Sequence, residues 1–102
     1  MLYIWSGNLK EGKEEEFKAW VRRSHEEWNS HAAPGWRLKG FHTRAFTVGR
    51  YDFSMIWEFD KFADFDSIDK HPDPVYDRLE NEMSEFIMPG CGEAWILREI
   101  IP

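Results

Sequence analysis

Two histidines stand where the sequence pattern changes, and each is placed to move a proton. His42 lies near the end of an alternating stretch, Trp36 to Thr43 (WRLKGFHT), and His71 opens the segment HPDPVY. Imidazole changes charge near neutral pH, so a modest change of surroundings turns it into a base or an acid. Period-two alternation puts His42 on the face of Trp36 and Leu38, where it would act as a general base or orient a substrate. The competing reading is a hydrogen-bonded histidine at a strand end. Around His71, Pro72 and Pro74 fix the backbone and would hold its side chain still. The competing reading there is a cap at a helix C-terminus, where a histidine meets the negative end of the dipole. His42 and His71 are the candidate catalytic residues. His25 and His31 read as solvated or capping.

Arg50 and Tyr51 open the stretch GRYDFSMIWEFD, Gly49 to Asp60. Arginine recognises a carboxylate through two parallel hydrogen bonds, and tyrosine offers a hydroxyl beside an apolar ring. Together they would hold an acidic or phenolic compound, although Arg50 equally suits a pair with a surface acid. Trp57 is the third candidate for substrate binding; its place on the apolar side of the alternation suits the core as well. Glu58 and Asp52 point the other way, and Glu58 is expected to pair with Arg37 or Arg98 across a subunit contact. No metal site is expected: the four histidines are scattered, no H-x-x-x-H occurs, and the single cysteine, Cys91, has no partner for a ligand set or a disulfide. Neither a G-x-S-x-G nucleophile turn nor a glycine-rich phosphate loop is present.

These residues need a scaffold, and the composition supports one. Of 102 residues, 42% are hydrophobic and 17% aromatic, with six Trp and eight Phe. Such a chain can bury enough apolar surface to offset ordering entropy, so one domain over residues 1–102 is expected. Its large side chains must line a core, an interface or a pocket. The formal net charge of −6, without a basic run, argues against nucleic acid and against an anionic membrane surface. No apolar stretch approaches a membrane span, and the opening residues MLYIWSGN read as a strand rather than a secretory signal. A cytoplasmic location is expected.

Alternation marks a first strand over Met1–Asn8. After Gly12, the run Glu14-Glu15-Glu16 suits the positive end of a helix. Phe17, Trp20, Val21, Ser24 and Trp28 then form one helical stripe that continues to about Ser30. Pro34 and Gly35 end it. Trp36–Thr43 is the second strand, with Trp36, Leu38 and His42 on one face and Arg37, Lys39 and Phe41 on the other. RAFTVG connects it to the third strand, Gly49–Asp60. Phe62, Phe65 and Ile68 mark a short helix, and Asp73 with Pro74 starts another whose stripe is Val75, Tyr76, Leu79, Met83, Phe86 and Ile87. MPGCGE reads as a break before the fourth strand, Glu93–Ile101. The order β-α-β-β-α-β is the ferredoxin-like α+β pattern, a four-stranded antiparallel sheet with both helices on one face. Strands one and four are apolar on both faces. The uncovered face therefore calls for protein cover, most simply a second copy in a two-fold homodimer.

The order of elements, LKEGKEEEF after strand one, and GRYDFSMIWEFD followed by a short helix resemble the dimeric α/β-barrel superfamily. That group includes antibiotic-biosynthesis-type monooxygenases, muconolactone-isomerase-like, haem-degrading and NIPSNAP-like proteins. GWRLKGFHT leading to a strand of the form G…I-W-E-F-D is most similar to the NIPSNAP branch. The resemblance covers nearly the whole chain. It implies a dimeric α/β barrel whose sheets pack together, each subunit keeping a pocket between sheet and helices. It also implies two alternative functions. One is a cofactor-independent monooxygenase or isomerase acting on a small aromatic or cyclic compound, with His42 or His71 as base and Tyr51 and a Trp shaping the pocket. The other is a non-catalytic NIPSNAP-like binding or assembly module. No cofactor is expected; haem is the alternative, through Asn8, Trp57 and His71. A closed cavity with a histidine pointing into it would favour the enzyme.

Overall fold

Short-range signals fix most of the elements. In the computed structural model, which describes residues 1–44 and 49–100, the order is β1 (Leu2–Leu9), α1 (Glu14–Ser30), β2 (Trp36–Thr43), β3 (Phe53–Phe59), α2 (Asp64–Asp69), α3 (Pro74–Ser84) and β4 (Ile87–Leu97). The three glutamates occupy the first turn of α1, and Phe17, Trp20, Ser24 and Trp28 are its buried residues. Asp73 caps α3: its carboxylate accepts from the backbone N–H of Val75 at 2.8 Å and of Tyr76 at 3.1 Å, with Pro74 at the first helical position. His31 Nδ1, just after α1, lies 2.8 Å from the same carboxylate. One acid thus joins the end of α1 to the start of α3, and the His31 contact holds its pKa below the usual carboxylate range.

The strands form one antiparallel sheet in the order β2-β3-β1-β4. This is the ferredoxin-like α+β fold. Along β3, Phe53, Met55, Trp57 and Phe59 are all buried and alternate with half-buried positions. Their rings and those of Phe17, Trp20 and Trp28 from α1 make a continuous aromatic core: Phe17 lies 4.8 Å from Phe53, and Trp28 6.0 Å from Trp57. At roughly 1.5–3 kcal/mol for each large side chain taken out of water, this layer is the main source of stability.

The structure differs from the sequence reading in the register of β2 and in the bounds of β4 and β3. In β2 the register slips between Leu38 and Gly40, so that Leu38 opposes Trp57 and Gly40 opposes Ile56, with Lys39 as the extra residue. A bulge of this kind reverses the alternation beyond it. Phe41 consequently joins the core, 5.9 Å from Phe17 and 6.0 Å from Trp20. His42 turns to the opposite, solvent-exposed face and does not share a side with Trp36 and Leu38. Gly40, at φ 148°, supplies the backbone conformation the slip needs.

The second difference is β4, which runs Ile87–Leu97 rather than Glu93–Ile101, so MPGCGE is strand and not a break. Its glycines have a packing reason. A Cβ on Gly7 or on Gly92, which pair across β1 and β4, would lie 2.8 Å from the Trp5 ring. The pair leaves room for that indole. Arg50 and Tyr51 precede β3, which begins at Phe53. Residues 45–48 of the RAFTVG connection and Ile101 of the expected fourth strand lie outside the described residues. Among the described residues no helix is long and apolar enough to cross a membrane.

Candidate functional site

The helix-covered face does not close completely. A cavity of about 460 Å3 remains between the sheet and the helices. Alternation on β1 and β3 sends Tyr3, Trp5, Met55 and Trp57 into it, and Trp36 joins them from β2. Trp28 comes from α1, Phe65 and Asp66 from α2, and Tyr76, Glu80 and Met83 from α3. The rings brace one another edge to face: Trp28 with Tyr76 at 5.5 Å and 89°, Tyr3 with Trp36 at 5.8 Å and 84°, Tyr3 with Phe65 at 5.9 Å and 77°. Side chains locked in this way give a preformed site.

A small set of polar groups converges on this apolar wall. Tyr76 and Glu80 are one helical turn apart on α3, so they share a side, and both line the cavity. Partial burial of the Glu80 carboxyl pushes it above its usual pKa; the neighbouring Tyr76 hydroxyl pulls it back, and Asp77 raises it further. Burial and then the Glu80 charge raise both tyrosines, so Tyr3 and Tyr76 remain hydroxyl donors at any physiological pH. Glu80 and Asp66 are solvent-exposed, which places them at the mouth, whereas Trp28, Trp36 and Trp57 lie deep.

Two of the core indole N–H groups are matched. That of Trp20 donates to Glu82 at 2.9 Å and that of Trp36 to the Asp64 carbonyl at 2.7 Å. Trp28, which lines the cavity, has a fully buried N–H without a partner among the described residues.

Of the residues singled out from the sequence, Trp57 alone lines this cavity. His42, Arg50 and Tyr51 come together elsewhere, in a shallow cleft on the opposite face of the sheet, beside Ser54, Trp95 and Leu97. There Arg50 lies 5.6 Å from the Tyr51 ring centre and 3.6 Å from Glu93, and Tyr51 packs edge-on to Trp95 at 6.1 Å. His71 stands behind the cavity wall. Its ring meets Tyr76 at 5.7 Å, and its Nε2 is 2.7 Å from the His31 carbonyl. A carbonyl only accepts, so Nε2 carries the proton. Asn8, named with Trp57 and His71 for haem, instead accepts from the Asp52 N–H at 3.0 Å, and neither Asn8 nor His71 lines the cavity with Trp57. Glu58 does meet Arg37, at 3.0 Å, but within one chain, where Asp60 joins at 2.9 Å.

Sequence reasoning passed over Glu80, Tyr76, Tyr3 and Trp28 as site residues. The signal available was small: a tyrosine inside the α3 stripe with a glutamate four residues on.

No family model matches the chain, and no curated protein matches it. Solved structures do. An uncharacterized NIPSNAP domain protein from Burkholderia xenovorans superposes with a TM-score of 0.71 at 14% identity, over 99% of this chain and 97% of that one. The chain shares its fold with a NIPSNAP domain. A protein from Agrobacterium tumefaciens superposes equally well, TM-score 0.71 at 21% identity, over 96% of this chain and 92% of that one. At these identities the NIPSNAP likeness concerns the ferredoxin-like fold, and chemistry must be argued from the site itself.

Proposed function

We propose that the cavity binds a small cyclic or aromatic compound and that Glu80 moves a proton on it, an isomerase-type reaction without a cofactor. The observation that carries this reading is a carboxylate at the mouth of an aromatic pocket, one helical turn from a tyrosine of the same lining, with its pKa raised by burial. A carboxylate whose pKa is raised is a stronger base. Glu80 would take a proton from a carbon beside a ring carbonyl, leaving an enolate. Glu80 would then return the proton to a different carbon. The substrate is rearranged and no electrons leave it. The first of these steps also opens a cofactor-independent oxygenation, in which the deprotonated substrate itself reduces O2.

The test is conversion of 3-cyclohexen-1-one to its conjugated isomer, with deuterium uptake from D2O followed by NMR. The native chain should accelerate both. Glu80→Gln should lose about 100-fold or more of the rate while the compound still binds. The second reading is the non-catalytic binding module, favoured by the position of His42 and His71 outside the cavity lining. Binding without deuterium uptake in the native chain would establish that reading instead.

The opposite face supports a proposal of its own: that a second copy of the chain covers it. Leu2, Ile4, Ile56, Trp95 and Leu97 are cross-strand neighbours there, with Trp95 39% and Leu97 47% exposed. A patch of this kind between two sheets is worth about 25 cal/mol per Å2 of apolar surface removed from water. Sedimentation equilibrium should give a dimer, and Trp95→Asp should give a monomer.

A further inference from the structure

We propose that the compound taken by the sheet–helix cavity carries a positive charge: an organic cation, held with its ring among the tryptophans and its ammonium group at the acidic mouth. The inference rests on the cavity being the binding site, and it names the class of molecule. Seven of the thirteen lining residues are aromatic, two are acidic, and none is Lys, Arg or His. Aromatic faces carry negative charge density, and a cation within reach of several of them is attracted to each.

The two acids decide against the other classes. An anionic ligand would bring its charge to Glu80 and Asp66 with no basic group in the lining to offset the repulsion. The arginines that would suit an anion, Arg44 and Arg50, lie along the cleft on the far side of the sheet, where they pair with Asp52 and Glu93. A wholly apolar ligand would strip water from the Glu80 carboxylate and return nothing. A cation covers the same carboxylate and replaces the lost hydration with an opposite charge. The net charge of −6 adds a long-range field of the same preference.

Three probes built on one phenyl ring separate the classes: phenyltrimethylammonium, its neutral isostere tert-butylbenzene, and the anion benzoate. Binding is followed by tryptophan fluorescence and by the NMR shift of the Trp28 indole N–H. The cation should bind at least about tenfold more tightly than the isostere, with benzoate weakest. Glu80→Gln should remove most of that preference, whereas Glu15→Gln, an equal change of net charge on the exposed side of α1, should leave it intact. Circular dichroism on both variants checks that the fold is kept. If tert-butylbenzene binds as tightly as the cation, or benzoate binds more tightly, the cation preference is overturned while the cavity stands as the site. If none of the three binds, the cavity reading fails with it.

Discussion

The two faces of this sheet are built from alternate residues of the same strands, yet they have opposite chemistry. On the helix side, Tyr3, Trp5, Met55 and Trp57 point into an aromatic layer whose accessible polar groups are acids and hydroxyls. On the far side, Ile4, Ser54, Trp95 and Leu97 share a shallow cleft with His42, Arg44 and Arg50. The first face has a preformed cavity with a carboxylate at its mouth. The second has the groups that sequence inspection favours, histidine and arginine, but spread over an open surface, with Arg44 and Arg50 engaged by Asp52 and Glu93. Residues with conspicuous chemistry need not be gathered where a ligand can be enclosed. Enclosure comes from packing, and packing placed the quieter residues Glu80 and Tyr76 there.

The largest effect expected from this contrast is on stability. Trp57→Ala should cost about 3–5 kcal/mol in urea denaturation, because it empties part of the core. Trp95→Ala should change the stability of the chain by less than about 1 kcal/mol, acting instead on assembly. Equal losses from both would mean that the far face is packed as tightly as the core. A smaller effect belongs to the bulge that divides the two faces. Gly40→Ala should cost about 1–3 kcal/mol, since a side chain at φ 148° is strained. Deleting Lys39, the extra residue of the bulge, together with that change should recover most of the loss.

The smallest effect, and the most specific, concerns Glu80. Its folded pKa lies above the unfolded value, so the folded state holds the proton more firmly. The associated stability is present below the ordinary glutamate pKa of about 4.3 and is lost as pH rises through the folded value. Glu80→Gln should therefore raise Tm at pH 8, and the advantage should shrink as the solution is made acidic. Tyr76→Phe should move the NMR titration midpoint of Glu80 upward, because the hydroxyl that favours the charged form is gone.

Much of the fold was legible. The α1 stripe from Phe17 to Trp28, the Asp73-Pro74 start of α3 and the alternation of β3 each depend on neighbours within a few residues, and each appears where the pattern places it. The β2 bulge did not show, because a slipped register is decided by the partner strand: Leu38 faces Trp57 and Phe41 finds space beside Phe17 and Trp20. That single slip moved His42 to the other side of the sheet. The glycines of MPGCGE read as a turn, yet Gly92 is there to admit the ring of Trp5, 87 residues away in sequence. The resemblance implied a pocket between sheet and helices, but most of its lining was hidden. Trp28, Trp57 and Tyr76 were all assigned to apolar stripes, and whether stripes meet fully or leave a gap depends on the summed volumes of three layers. Glu80 became a site residue only because that gap opens beside it.

The central claim is that function resides in the helix-side cavity and not in the basic cleft behind it. Amide and indole NMR shifts recorded while phenyltrimethylammonium or 3-cyclohexen-1-one is added test this most directly. The Trp28 indole N–H and the amides of Tyr3, Phe65 and Glu80 should move together and saturate, with those of His42, Arg50 and Tyr51 unchanged. Saturating shifts at His42, Arg50 and Tyr51, with the Trp28 indole still, would contradict the account.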